Sequence, residues 1–429
     1  MISSGYKDHF GRPIVAVTGI GVLTSLGQGL YDNWQALISG KSGIHEITRF
    51  STEGLSTRIA GSIDFIASNA SNPVERSYIF AHQTIVEALA QAGFSGDFKG
   101  PLFLAAPPIE PEWNSRFFLA DRAEALSIKF ENVYERFLAV MRKQNNPDFY
   151  ESVLFGSISE RIADKFCTTG LPVTVSTACA SGATAIKLGV ESIRQKQNER
   201  ALVVATDGSL SVEALVRFSL LSTLSTQNEF PEKASKPFSK DRDGFVIAEG
   251  AATLVLETLE SAVARGAKVL SIIKGWGEKT DHFHRTRSSP DGGPAVSTIC
   301  AALIDANVRN DEVGYINAHG TSTPENDKTE YIAMSKIFGD NLASIPVSSN
   351  KSMIGHTLTA AGAIEAVFAI QSMISGVLPP TINYIRPDPA IVLDCVPNIK
   401  RNTSVEVVMS NSFGFGGQNI SLIMTREPM

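Results

Sequence analysis

A chain of 429 residues with 43% hydrophobic content can fill two ordinary domains or one large fused core, which excludes a disordered or fibrous protein. The net charge of -6 and pI near 5.7 argue against a general nucleic-acid binder, because phosphate recognition needs an excess of basic surface. Four dispersed cysteines, Cys167, Cys179, Cys300 and Cys395, form no Cys-x-x-Cys pair; they indicate neither a zinc site nor a disulfide scaffold and fit a reducing cytoplasm.

From the N-terminus, Met1 to Pro13 is charged and polar where a signal peptide would be apolar. Pro13-Ile-Val-Ala-Val-Thr-Gly19 predicts a strand, followed by a turn and a helix around Trp34 to Ile38. Ser115 to Lys143 is charged and helical, with Phe117, Leu126, Phe130, Tyr134, Phe137 and Val140 at helix-compatible spacings and a stop at Asn145-Asn-Pro147. This segment reads as an excursion, about 105–150, packed on the main body. Strands and helices then alternate as in a layered α/β protein: Val173 to Ser176, a helix to Lys196, Ala201 to Ala205, and Ala252 to Leu256. The apolar stretch Thr357 to Gly376 carries Glu365 and Gln371 in its middle, which predicts a buried helix and no membrane span.

Val173 to Cys179 leads from a strand into a helix, and Ile345 to Lys351 does the same before a helix ending near Ser375. This echo predicts duplicated halves with two strand-to-helix corners facing each other, where ligands of α/β folds bind. Past Cys179, Ala183, Ile186, Val190 and Ile193 step by three and four, so the thiol lies near the first turn of a helix. The dipole there predicts a lowered thiol pKa. Two histidine stretches join it: Asn317-Ala-His-Gly-Thr-Ser-Thr-Pro-Glu-Asn-Asp327 and Asn350-Lys-Ser-Met-Ile-Gly-His356. A cysteine that makes and breaks a thioester needs neighbours to handle protons and stabilise an oxyanion, and imidazole titrates in the right range. Near the C-terminus, Asn411-Ser-Phe-Gly-Phe-Gly-Gly417 lets backbone approach a ligand closely.

Together with Thr177-Ala-Cys-Ala-Ser-Gly182, these stretches resemble the active-site motifs of elongating β-ketoacyl-[acyl-carrier-protein] synthases of the type I/II class, KAS II-like and of the thiolase superfamily. The similarity runs from Pro13 to Arg426, with further marks at Leu221-Ser-Thr223, Lys236-Pro-Phe238 and Asp241-Arg-Asp-Gly-Phe245. It implies a thiolase-like α/β fold: two duplicated βαβαβ-type halves, residues 13–265 with the nucleophile and 266–429 with both histidines, packed as an α-β-α-β-α core. It implies a decarboxylative Claisen condensation of malonyl-carrier protein with an acyl chain held on Cys179. His319 and His356 match the pair that promotes decarboxylation, and Lys351 the lysine that supports them, with Glu330 as its acidic partner. Asp327 matches a loop anchor, Thr321 and Thr323 the hydroxyls that hold pantetheine, and Phe415 the gate whose N–H shares the oxyanion hole.

By the same resemblance no metal or redox cofactor is required, phosphopantetheine arrives on an acyl carrier protein, and the enzyme is a cytoplasmic homodimer. Related enzymes sometimes hold a structural monovalent cation where Asn317, Glu365 and Asn411 fall. A degradative thiolase is disfavoured because Ser410 to Asn419 has no second cysteine, and a priming type III synthase because His356 stands where that class has asparagine. The alternatives left are a ketosynthase of a specialised lipid or polyketide pathway and a non-catalytic partner of the chain-length-factor kind, which lacks the nucleophile. One departure is Leu104-Ala-Ala-Pro-Pro-Ile-Glu-Pro-Glu-Trp113, proline-rich where the family is glycine-rich; it predicts a divergent paralogue with an altered acyl pocket. Basic candidates for docking an acidic carrier are Arg58, Arg136, Arg142, Lys143 and Arg217.

Overall fold

The computed structural model describes residues 5–66, 72–125, 132–143 and 147–426. Among the described residues one mixed sheet has eleven strands; beside the short Gly27–Gln28, which pairs only with the first strand, it contains β1 (Val15–Thr24), β2 (Leu102–Ala105), β3 (Val173–Val175), β4 (Arg200–Asp207), β5 (Gly250–Thr258), β6 (Ser271–Thr280), β7 (Tyr315–Asn317), β8 (Val347–Ser348), β9 (Val407–Phe413) and β10 (Gln418–Thr425). Their order across the sheet is β8-β7-β9-β10-β6-β1-β5-β4-β2-β3. In both halves the third, second and fourth strands run parallel, the fifth pairs antiparallel with the fourth, and the first pairs antiparallel with the fifth. The halves meet where Val15–Val17 of β1 pairs antiparallel with Ser271–Ile273 of β6. One connectivity thus occurs twice, as the echo between the Val173 and Ile345 units predicts.

A second echo lies in the first strand of each half. Gly19 and Gly21 in β1, and Gly275 and Gly277 in β6, let a helix press directly on the strand. A Cβ at Gly21 would lie 2.1 Å from Thr84 O, and one at Gly277 would lie 2.2 Å from Thr298 O. The helices concerned are α1 (Pro73–Ala92), capped by the Asn72 side chain and ended by left-handed Gly93, and a later one, Gly293–Ala306. They form the two outer layers. Between the halves run α2 (Ser181–Arg194), on β2, β4 and β5, and the helix Ala361–Ser375, on β5 and β9. With Gly293–Ala306 as α3 and Ala361–Ser375 as α4, the layers are α-β-α-β-α. Among the described residues, Leu358–Ser375 is the one segment long and apolar enough to cross a membrane, and 83% of it is buried in this middle layer.

The excursion is helical: Trp113–Ala125 and Val133–Lys143 pack on each other, and Leu119, Phe137, Val140 and Met141 cluster there with Phe149 of the short helix Pro147–Glu151. Phe117 and Tyr134 are exposed, not packed on the body; Leu126, Phe130 and Asn145 lie outside the described residues. The proline-rich stretch before it is pinned by Arg76–Glu112 at 3.0 Å and Arg217–Glu110 at 2.7 Å.

The first turns of α2 and α4 meet at two glycines. A Cβ on Gly182 would lie 2.6 Å from Ala363 N, and one on Gly362 would lie 2.7 Å from Ala183 N. Only hydrogen fits between the two backbones. Gly362→Val should therefore force the halves apart, destabilising the fold by about 2 kcal/mol or more in urea unfolding and abolishing activity. A variant as stable and active as the parent would mean that the helices do not meet this closely.

Candidate active site

The polypeptide reaches Cys179 through a strained corner. After β3, Ala178 takes φ of +50°, a left-handed conformation that a Cβ makes costly by about 1–2 kcal/mol. The Ser181 hydroxyl holds it there, accepting from Thr177 N–H at 2.7 Å and donating to Ala178 O at 2.6 Å. Cys179 is thereby thrown out of the strand direction at the mouth of α2, 8% exposed on the floor of a cleft. The helix begins at Ser181, two residues later than the thiol. Burial pushes the Cys179 thiol up to about 11, opposed by Lys351 and by the Phe415 N–H that donates to the sulfur. The lowered pKa expected from the helix dipole is thus corrected: desolvation of the thiolate outweighs it.

His356 belongs to the C-terminal half, yet its backbone is clamped by the N-terminal half. Its N–H donates to Val246 O at 2.7 Å, and its carbonyl accepts from Ala248 N–H at 2.9 Å. The following turn is fixed by Asp207 at the end of β4, which accepts from Thr359 N–H at 3.2 Å and from its hydroxyl at 2.7 Å. Leu358 N–H donates to Nδ1 of His356 at 3.3 Å, which assigns the ring proton to Nε2. That Nε2 stands 3.0 Å from Cys179 Sγ. The Phe245 ring, 5.3 Å away and edge-on, backs the imidazole.

His319 follows β7. Its N–H and that of Gly320 donate to the two oxygens of Glu330 at 2.9 and 2.8 Å. The Lys351 ammonium donates to His319 O at 2.7 Å and approaches Nδ1 at 3.4 Å, leaving Nε2 to carry the proton. Lys351 is paired with Glu365 on α4, not with Glu330. The expectation fails because Glu330, on the helix Pro324–Phe338, is taken up by backbone N–H groups and by Asn411 Nδ2 at 3.2 Å. The two rings stand 5.4 Å apart and nearly perpendicular, and their nitrogens lie within 4.8 Å of each other and of Sγ. Burial and the Lys351 charge hold both imidazoles well below the ordinary histidine pKa, so both are neutral N–H donors at pH 7. Burial also raises Glu330 and Glu365, each to about 7.

The cleft, about 640 Å³, is lined by Cys179, both histidines, Thr321, Thr323 and Phe415, among others. Thr321 and Thr323 bond to each other at 2.8 Å, and Thr323 caps the helix Pro324–Phe338. Asp327 accepts from Phe238 N–H at 2.8 Å and lies 3.6 Å from the Arg242 guanidinium, tying two of the motif marks to the histidine loop. Among the residues named for a cation, Asn317 Oδ1 and Glu365 Oε2 are buried acceptors without hydrogen-bond partners, while Asn411 Oδ1 accepts from Ser421 at 2.8 Å. Sequence reasoning missed Phe218, Leu358, and the loop Asp281–Ser289 with Arg285 and Arg287, which also line the cleft. That loop has no motif residue to betray it. Arg217, named as a docking candidate, is ion-paired with Glu110.

A thiol held near 11 makes a specific prediction. Alkylation of Cys179 by iodoacetamide should accelerate about tenfold per pH unit from pH 7 to 10, because the reactive thiolate is scarce throughout that range. A plateau below pH 8 would show a thiolate already formed.

Residues 13–95 and 126–262 match the family described as Beta-ketoacyl synthase, N-terminal domain, and residues 270–385 match Beta-ketoacyl synthase, C-terminal domain. The gap between 95 and 126 contains the proline-rich stretch and the first excursion helix. The chain is 35% identical over 416 residues to 3-oxoacyl-[acyl-carrier-protein] synthase 2 of Coxiella burnetii, covering 96% of this chain and 98% of that one. It is 34% identical to the tetracenomycin polyketide synthase ketoacyl synthase alpha subunit of Streptomyces glaucescens, over 96% and 97%. A solved structure of a type II PKS acyl-carrier protein in complex with its ketosynthase bound to the hexaketide matches with a TM-score of 0.84 at 30% identity, covering 97% of this chain and 100% of that one. With these matches and the site just described, the chain belongs to the β-ketoacyl synthase family of acyltransferases.

Proposed function

We propose that the protein elongates fatty acyl chains by condensing malonyl-[acyl-carrier protein] with an acyl group held on Cys179. The observation that carries this reading is the convergence on one sulfur of donors from the other half: His356 Nε2 at 3.0 Å and the Phe415 N–H. In the first step Sγ attacks the carrier-bound acyl carbonyl, the pantetheine carbon–sulfur bond breaks, and the thiol proton ends on the departing pantetheine sulfur. The tetrahedral oxyanion is held by the N–H groups of Cys179 and Phe415. In the second step malonyl thioester loses carbon dioxide, and the N–H groups of His319 and His356 stabilise the enolate oxygen better than the ground-state carbonyl. The enolate carbon attacks the acyl-cysteine carbonyl; Sγ leaves and takes a proton from solvent.

Lys351, its charge balanced by Glu365, keeps His319 oriented and neutral. Glu330 and Asp327 shape the loop that carries His319, Thr321 and Thr323 hold the pantetheine arm, and Phe415 gates the acyl pocket. The unpartnered oxygens of Asn317 and Glu365 are suited to a structural monovalent cation, for which Asn411 is the third residue named. The units are residues 13–265 and 266–429, working as a homodimer in the cytoplasm. An edge unpaired among the described residues supports the dimer: β3 ends the sheet, with Leu171 91% exposed just before it. The segment between 95 and 126, which the family match leaves out and which holds the proline-rich stretch, supports a divergent paralogue with a specialised acyl chain.

Incubation with acyl-carrier protein followed by intact-mass measurement should give a covalent adduct on the parent and none on Cys179→Ala, with elongation reduced by at least about 10³-fold. Cys179→Gln should still decarboxylate malonyl-carrier protein. Normal elongation by Cys179→Ala would overturn the assignment. Acyl carriers of graded length then test specialisation, which an ordinary medium-to-long-chain profile would refute.

A further inference from the structure

The loop Asp281–Ser289 forms one wall of the cleft mouth and has no part in the roles above. Asp281 closes it at both ends, accepting from Phe283 N–H at 2.9 Å and from Ser289 N–H at 2.8 Å. It is fastened to the turn that carries Phe415: Gly416 N–H donates to Arg285 O at 2.7 Å, and Asp281 N–H donates to Gly417 O at 2.7 Å. From this held loop Arg285 and Arg287 line the cleft, both exposed. Among the described residues, no other arginine and no lysine lines it.

These two guanidinium groups differ from most others in the chain. Arg217 is neutralised by Glu110, Arg242 by Asp388 and Arg194 by Asp305. Among the described residues, Arg285 and Arg287 make no ion pair and no side-chain hydrogen bond. The acids that share the cleft do not answer them fully. Asp281 has both oxygens committed to backbone, and Asp243 accepts from Thr226 N–H at 3.1 Å; Glu325 lies in the first turn of the helix Pro324–Phe338. Although Asp243 Oδ1 also lacks a partner, neither guanidinium is paired with any of these carboxylates, so two unpaired positive charges border the cleft.

Burial grades along the same cleft. Cys179, His319 and Thr321 are buried, Thr323 is half-buried, and the two arginines are exposed. A thioester-bearing arm with hydroxyl and amide groups along its length and a phosphodiester at its base has the same gradient, from its reacting end to its charged end. We propose that Arg285 and Arg287 hold the phosphodiester of the incoming pantetheine arm. Guanidinium groups suit this because their planar donors match phosphate oxygens two at a time. The proposal rests on the condensing reaction proposed above. The diphosphate of coenzyme A presents the same chemistry, so the test separates the two sources.

The experiment is calorimetric binding of pantetheine, phosphopantetheine, coenzyme A and the phosphopantetheinyl carrier protein to the full chain, with and without Arg285→Ala/Arg287→Ala. The parent should bind phosphopantetheine about tenfold more tightly than pantetheine, and the double variant should lose that preference. Arg285→Lys/Arg287→Lys should keep part of it. Equal binding of the two arms by the parent would overturn the proposal, as would a preference that survives the alanine pair. Weakening confined to the carrier protein would place the arginines on carrier carboxylates, and weakening confined to coenzyme A would place them on its diphosphate; either contradicts the assignment. Condensation by the parent with malonyl-carrier protein is read separately, so a failure of the proposed reaction is not mistaken for a failure of the phosphate site.

Discussion

The contact of two helix N-termini at Gly182 and Gly362 sets the other distances in the site. Cys179 precedes one of these helices and His356 precedes the other, so the separation of sulfur and imidazole is inherited from the separation of the helices. Neither half holds the pair alone. The backbone of residues 246–248 clamps His356 across the boundary, and Asp207 fixes the turn after it, so the N-terminal half supplies the scaffold for an imidazole of the C-terminal half. Duplication explains how this came about physically: one strand-to-helix corner, used twice and turned face to face, brings a thiol from one copy to an imidazole of the other.

Burial is what gives these groups their chemistry. Lys351, Glu365, Glu330 and both histidines are almost wholly withdrawn from water, where an unpaired charge is costly. Lys351 and Glu365 answer each other, Glu330 is answered by backbone N–H groups, and the imidazoles respond by staying neutral. A neutral imidazole with a fixed proton is a weaker donor than an imidazolium but does not pair with the malonyl carboxylate. In the proposed condensation its hydrogen bonds strengthen when negative charge reaches the thioester oxygen, the condition for rate enhancement. The same burial keeps Cys179 a thiol in the resting enzyme.

Much of the fold and of the site was legible in the sequence because both rest on short, local signals. The stripe after Cys179, the strand-to-helix echo and the glycine-rich turn at Asn411–Gly417 are each written within a dozen residues. What was not legible depends on distance in the chain. Lys351 chooses Glu365 over Glu330 because α4 crosses behind it, a consequence of helix packing that no local pattern states. The thiol pKa was misjudged for a related reason: a helix dipole can be read from spacing, but the depth of burial at a junction of two halves cannot. The excursion is legible as helical, but not that some of its aromatic residues, Phe117 and Tyr134 among them, face outward. The loop Asp281–Ser289 was passed over because its place at the cleft mouth comes from pairing with Gly416 and Gly417, far away in the chain.

The central claim is that two neutral imidazoles, each with its proton on Nε2, meet at one buried thiol. Nitrogen-15 NMR of histidine-labelled protein measures this directly, the resonances of His319 and His356 being identified by their loss on single substitution. Both should remain neutral with the proton on Nε2 from pH 8 down to pH 6. An imidazolium at pH 7 in either ring, or a proton on Nδ1, would contradict the account.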